Sequence, residues 1–283
     1  MKNLLKNDQN CSKINGCQTD PAMQFSLPCI GYRLPKPLSS PLFGDRQKYG
    51  QVADVSDPDW ICWEKNMHEI YFKTQKKGLG KFINDAGYKI LKKVDLKGKH
   101  LVEIGPGSLP HMQFWNSNPA KFTFVDRRAN FLDIARKKAL SRDICVSTVL
   151  TSPNQTRIQL SDNTADIVLS FYTLEHLHPI ETYVAEIERI LKPGGLLVGA
   201  IPAEGGLAWG LGRYLTSRRL IKSQYSFDPD KIICWEHPNF SDVLSKRLSK
   251  AFNTEALNFW PTKLPSPDIN LIISFIYRAS LTS

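Results

Sequence analysis

Apolar and polar positions change their rhythm three times along the chain. From Met1 to about Asp59, prolines (Pro21, Pro28, Pro35, Pro37, Pro41, Pro58) interrupt any sustained period, which predicts a partly irregular N-terminal extension over 1–59. Helical spacing follows through Tyr71. It resumes from Leu79 to Val94, where Phe82, Ile83, Tyr88, Ile90 and Leu91 give an uneven apolar face ahead of the break at Lys97-Gly98. Then short apolar runs alternate with helical stretches. His100–Ile104, Phe122–Val125, Ile144–Leu150, Asp166–Ser170 and Leu196–Ile201 read as five buried strands. The clearest helix between them is Pro179–Lys192, with Ile180, Tyr183, Val184, Ile187 and Leu191 on one stripe and Pro193-Gly194-Gly195 as its stop. Such alternation predicts a doubly wound, parallel sheet with helices on both faces. The tail departs from it: after a helix at Phe240–Ala251, strands at Phe252–Phe259 and Leu271–Tyr277 follow with no helix between them and should pair antiparallel.

The first strand runs into Gly105-Pro106-Gly107, where glycine permits a tight turn and a close ligand approach. Asp126 ends the second strand about 20 positions on, where a carboxylate can accept both hydroxyls of a ribose. A dinucleotide fingerprint would need a third glycine where Pro110 stands, which argues against NAD or FAD. Glu103, just before the turn, would be ill placed beside a pyrophosphate but suits an ammonium or sulfonium ligand.

The ordered set LVEIGPGS, FVDRR, LSDNTADIVLSFYTLEHL and EIERILKPGGLLVGAIP resembles the class I S-adenosylmethionine-dependent methyltransferases, in particular the small-molecule group often labelled type 11. The resemblance runs from about Leu96 to Pro202. It implies a Rossmann-like seven-stranded sheet, mostly parallel with an antiparallel last strand, and S-adenosyl-L-methionine as cofactor. By motif it implies that Glu103, Gly105, Pro106 and Gly107 surround the methionine and ribose portions and that Asp126 meets the ribose hydroxyls. Arg127 and Asn154 then lie by the adenine, and Ser170 and Phe171 border the cofactor. Leu109 and Asn154 depart from the usual glycine and acid.

Methyl transfer from a sulfonium is an in-line displacement, so the protein mainly orients the reactants and excludes water. His176, in the loop after the fourth strand, is the candidate base or acceptor-orienting residue. Glu175, His176 and His178 lack a further spaced ligand, so no metal is expected. A basic, lid-like insertion at about 204–236 carries Arg213, Arg218, Arg219 and Lys222, with no acid from Gly205 to Phe227. Arg213, Arg218 and His237 are its candidate acceptor contacts. The stretches DPDWICWE and DPDKIICWE differ by one inserted residue, and a single pair is read as coincidence because repeat architectures need many units.

Composition narrows the acceptor. With 42% hydrophobic residues the chain can bury a core, and a formal charge of +10 predicts a small anionic acceptor such as a glycan, sugar derivative or lipid precursor. The same charge leaves peripheral contact with an anionic membrane open. The basic residues are scattered and form no RNA-binding motif, so nucleic acid is not the expected partner. The polar N-terminus lacks a secretory core, no run suits a transmembrane helix, and six cysteines without a CxxC pair suggest free thiols in a cytoplasmic protein. The alternative reading is a catalytically silent methyltransferase-like module that binds or scaffolds.

Overall fold

The computed structural model describes residues 27–75, 78–152 and 155–281. Its strands are β1 (His100–Ile104), β2 (Lys121–Asp126), β3 (Cys145–Leu150), β4 (Ala165–Phe171), β5 (Leu191–Pro202), β6 (Asn253–Trp260) and β7 (Ile272–Arg278). They form one sheet in the order β3-β2-β1-β4-β5-β7-β6. The first five neighbours run parallel, and β7 pairs antiparallel with both β5 and β6. A strand covered on both faces must be apolar throughout, and in β1 all residues but His100 are buried.

The helices are α1 (Lys36–Phe43), α2 (Arg46–Tyr49), α3 (Pro58–Gln75), α4 (Gly78–Tyr88), α5 (Ala129–Leu140), α6 (Ile180–Ile190), α7 (Leu207–Leu215), α8 (Ser217–Gln224), α9 (Pro229–Glu236) and α10 (Ser241–Ala251). On one face of the sheet Val184 and Ile187 of α6 and Leu244 and Leu248 of α10 enter the core. On the other, Tyr88 of α4 and Leu132, Ala135 and Ala139 of α5 do so. The expected doubly wound sheet with its antiparallel closing strand is thus present. One boundary differs: α6 stops at Ile190, because Leu191 is already extended (ψ 138°) and pairs with Ala165, so β5 begins before the two glycines. No described helix is long and apolar enough to cross a membrane.

Described residues of the N-terminal extension are stitched to the later half of the chain. The Ile30 and Gly31 amides donate to Asp268 at 2.8 and 3.0 Å, and Tyr32 stacks on Phe240 with centroids 3.7 Å apart. A Cβ on Gly31 would come within 2.6 Å of the Gly205 carbonyl, so only glycine allows this approach. Arg213 donates to the Leu42 carbonyl, and Trp235 to that of Tyr49 at 2.8 Å.

The two similar eight- and nine-residue stretches lie against one another. Each begins a helix with an aspartate cap and a following proline: the Asp59 amide donates to Asp57, and that of Asp230 to Asp228, both at 2.9 Å. Trp60 meets Trp235 edge-on, Lys231 bridges Asp57 and Asp59, and Trp63 donates to Glu236 at 2.6 Å. Like sequences therefore make like helix starts, and α3 and α9 roof the carboxyl edge of the sheet together.

Candidate active site

Ligands of open α/β sheets bind beyond the carboxyl ends of the strands, and here β1, β2 and β4 deliver the sequence candidates to that edge. Gly105 (φ +72°) and Gly107 (φ +52°) take left-handed conformations that glycine accepts freely. A Cβ on Gly107 would meet nothing within 4 Å, whereas one on Gly105 would strike Thr173 Oγ1 at 2.4 Å. Leu109, standing where a third glycine is usual, keeps the left-handed turn at φ 48° and sinks its side chain fully into the core. Packing thus offsets a conformational cost of roughly 1–2 kcal/mol. Tyr172, just past β4, is likewise left-handed at φ 55°, with its hydroxyl held by the Asn84 carbonyl at 2.7 Å.

Glu103 is 1% exposed and burial raises its carboxyl above the usual range. Its Oε1 is 2.8 Å from His111 Nε2, while Trp115 Nε1 lies 3.1 Å from His111 Nδ1. The indole can only donate, so Nδ1 accepts and the His111 proton sits on Nε2, pointing at Glu103. Oε2 of Glu103 has no partner, and neither does the buried Ser170 Oγ. Buried polar atoms are ordinarily satisfied, so two orphans at one sheet edge mark a place where a ligand belongs. Phe171 walls this place, 5.2 Å from both Tyr88 and His111. Asp126, raised by burial against the Arg128 and Arg127 amides and charges, accepts from the Arg128 amide at Oδ1 over 2.8 Å. Arg127 reaches across to Glu64 of α3 at 3.5 Å. Pro106 is buried; Asn154 lies outside the described residues.

His176 and His237 meet edge-on with centroids 4.6 Å apart. Thr173, three residues before His176, places its Oγ1 3.5 Å from the Gly105 carbonyl, so this pair adjoins the glycine loop. His176 Nδ1 is 2.5 Å from the Glu236 carbonyl oxygen and 3.3 Å from its carboxylate, and Nε2 is 3.9 Å from Glu175. Burial opposes the charged ring, yet these acceptors push His176 up to about 9. Glu236 is pulled down to about 2, against burial, by His176 and Trp63. Burial, helped by the Glu204 and Glu236 charges and opposed by His176, lifts Glu175 to about 7, and its Oε2 also lacks a partner.

His237 Nδ1 lies 2.9 Å from Glu204, a fully buried carboxylate that also accepts from Arg213 and Trp209 at 2.8 Å. Burial would raise Glu204, but the Arg213 charge and the His237 hydrogen bond hold it far below the usual range. Burial lowers His237, with the charge of His176 adding to it.

In the basic, lid-like insertion two of the arginines expected to meet the acceptor have carboxylate partners within the chain. Arg213 is committed to Glu204, and Arg218 forms a two-pronged pair with Asp230 at 2.5 and 2.6 Å. Both acids flank the acid-free stretch, so the insertion is neutralised from its two ends and these arginines brace it rather than stand free for an acceptor. Arg219 and Lys222 are exposed. Sequence reasoning missed His111 and the bracing role of Glu204, and it reads Glu236, with Trp235, His237 and Asn239, as a polar-aromatic cluster suited to a sugar or ring rather than as the partner of His176. The spacing of His111 and Trp115, one helical turn apart, was the available signal for the first; the other two depend on contacts across the fold.

Residues 102–199 match a family model described as a methyltransferase domain. The chain is 32% identical over 108 residues to a thiol S-methyltransferase of Rattus norvegicus, covering 36% of this chain and 44% of the relative. It is 25% identical over 134 residues to a sterol 4-C-methyltransferase of Caenorhabditis elegans, covering 47% and 40%. The chain thus spans under half the length of either relative. The structure of a candidate methyltransferase from Bacillus halodurans C-125 overlays with a TM-score of 0.51 at 15% identity, covering 69% of this chain and 99% of that one, which is a likeness of fold. With its glycine turn, acid-ended second strand and reversed last strand, the sheet has the fold of that solved structure, and the stretch from 102 to 199 within it is similar to a methyltransferase domain.

Proposed function

We propose that this protein transfers a methyl group from S-adenosylmethionine to a small acceptor held beneath α3, α7, α8 and α9. The observation that carries the reading is the pair of orphaned buried atoms, Glu103 Oε2 and Ser170 Oγ, beside an open glycine turn. These residues fit the cofactor chemically. Glu103 offers an acceptor for the ammonium of the methionine portion, Asp126 offers a carboxylate to the ribose, and Gly105, Pro106 and Gly107 let backbone approach between them. Arg127 flanks the adenine, and Ser170 and Phe171 close the wall. When bound, S-adenosylmethionine supplies an electrophilic methyl group on a sulfonium. The chain's own work is to orient the acceptor, exclude water and manage its proton.

An anionic acceptor is supported by the charge of +10 and by the exposed Arg219 and Lys222, since Arg213 and Arg218 already have carboxylate partners. The thiol and sterol relatives differ in acceptor atom and leave that choice to the site. Calorimetric titration with S-adenosylmethionine, S-adenosylhomocysteine and NADH tests the reading. Micromolar binding of the first two alone is expected. Failure of both to bind, or binding of NADH, would overturn it.

A further inference from the structure

We propose that His237, positioned by Glu204, is the base that takes the proton of an acceptor hydroxyl, making the reaction an O-methylation. This deepens the methyl-transfer reading and rests on it. The two histidines of the cleft are not equivalent. The groups that face the ring nitrogens of His176 are acceptors: the Glu236 carbonyl and carboxylate on Nδ1, and Glu175 toward Nε2. Such surroundings favour the doubly protonated ring, which has no lone pair to offer. His237 is built the other way. Its Nδ1 can only donate to the Glu204 carboxylate at 2.9 Å, which fixes the tautomer and leaves the Nε2 lone pair available. No described residue pairs with that Nε2, and the side chain is 17% exposed.

The groups facing His237 from each packed element act in one sense. Arg213 of α7 and the His176 ring oppose a second positive charge in the resting state. Arg46 of α2 holds the His237 carbonyl at 2.5 Å and anchors the backbone. Glu204, at the end of β5, is anchored by Arg213 and Trp209 and stays ionised, so it can steady the imidazolium once the proton arrives without taking that proton itself.

A dedicated base also selects the acceptor. A thiol with a pKa of about 8.5 is already partly ionised near neutrality, and an amine attacks as its free base. A hydroxyl is neutral there and gains from losing its proton during attack. The hydroxyl proton passes to Nε2 as the oxygen's electron pair bonds to the methyl carbon. The carbon–sulfur bond breaks with its pair kept by sulfur, and His237 later releases the proton to solvent.

The test uses the full chain, methyl-deuterated S-adenosylmethionine, and a small-molecule cell extract supplemented with catechol, 2-mercaptoethanol and benzylamine; mass spectrometry locates the label. The proposal expects label on oxygen, reduced about 100-fold or more in His237→Asn, whose Nδ2 can still donate to Glu204 in place of the ring Nδ1 but which cannot take a proton. S-adenosylhomocysteine affinity should stay within about threefold, showing that the variant is folded. Label on sulfur, nitrogen or carbon, or undiminished O-methylation by the folded variant, would overturn the base assignment. Independently of turnover, nitrogen NMR of 15N-histidine protein with S-adenosylhomocysteine should show His237 neutral at pH 7 with its proton on Nδ1. A charged ring or the other tautomer overturns the proposal. If wild type labels nothing, the methyl-transfer reading itself fails.

Discussion

On the glycine-loop wall of the cleft Glu103 Oε2 and Ser170 Oγ are buried without partners, whereas on the lid wall Glu204 is surrounded by Arg213, Trp209 and His237. The Glu103 and Glu204 carboxylates are equally dry, so burial does not separate them; satisfaction does. An unpaired buried acceptor costs about 1–3 kcal/mol, a deficit that a ligand can relieve, while a saturated carboxylate fixes shape. The comparison teaches that Glu103 and Ser170 leave the glycine-loop wall incomplete by itself, while the Glu204 carboxylate is saturated.

Breaking the contrast at Glu204 should have the largest consequence. Glu204→Ala strands Arg213 as a buried, uncompensated charge and should destabilise the fold by about 3–5 kcal/mol, read as a lower denaturation midpoint. A midpoint close to wild type would show that the lid does not depend on this carboxylate. Asp126→Ala acts on the other wall and should spare the fold while weakening S-adenosylhomocysteine binding by about 10–100-fold, the value of charged hydrogen bonds to a ligand. Calorimetry checks it, and unchanged affinity would remove Asp126 from the ribose role.

Between the walls stands His176. Its folded value of about 9 exceeds the ordinary 6.5, so its contribution to stability is complete below about pH 6.5 and is lost as pH rises through 9. Unfolding free energy should therefore fall between pH 7 and 9, and His176→Gln should flatten that fall; a slope identical to wild type would contradict the ring's charge. The smallest effect belongs to Arg219→Ala, an exposed position, which should shift stability by less than about 0.5 kcal/mol and leave cofactor affinity alone. Arg218→Ala, which frees Asp230, should cost more.

Most of the glycine-loop wall was legible in the residue order, because its parts are local. Strand, glycine turn and acid follow one another within about 25 residues, as a βαβ unit requires, and β1 spans the expected His100–Ile104. The lid was not legible in the same way. Four basic residues without an acid between them look like a free cationic face, and nothing nearby in the chain shows that Glu204 and Asp230 turn inward to meet Arg213 and Arg218. The two similar Asp-Pro-Asp stretches gave no sign that they would face each other, since each codes only for its own helix start.

The sequence by itself determined the alternation that makes a parallel sheet, the reversal of its last strand and the glycine-and-acid edge, since each follows from short-range period, turn chemistry and chain order. Tertiary structure alone decided which charges are spent and which remain. His176 and His237 are 61 residues apart, and only the closure of α9 over the β4 loop sets them edge to edge with different partners. Protonation follows from the groups a ring meets across space and from the water it loses, and neither is written in its neighbours along the chain.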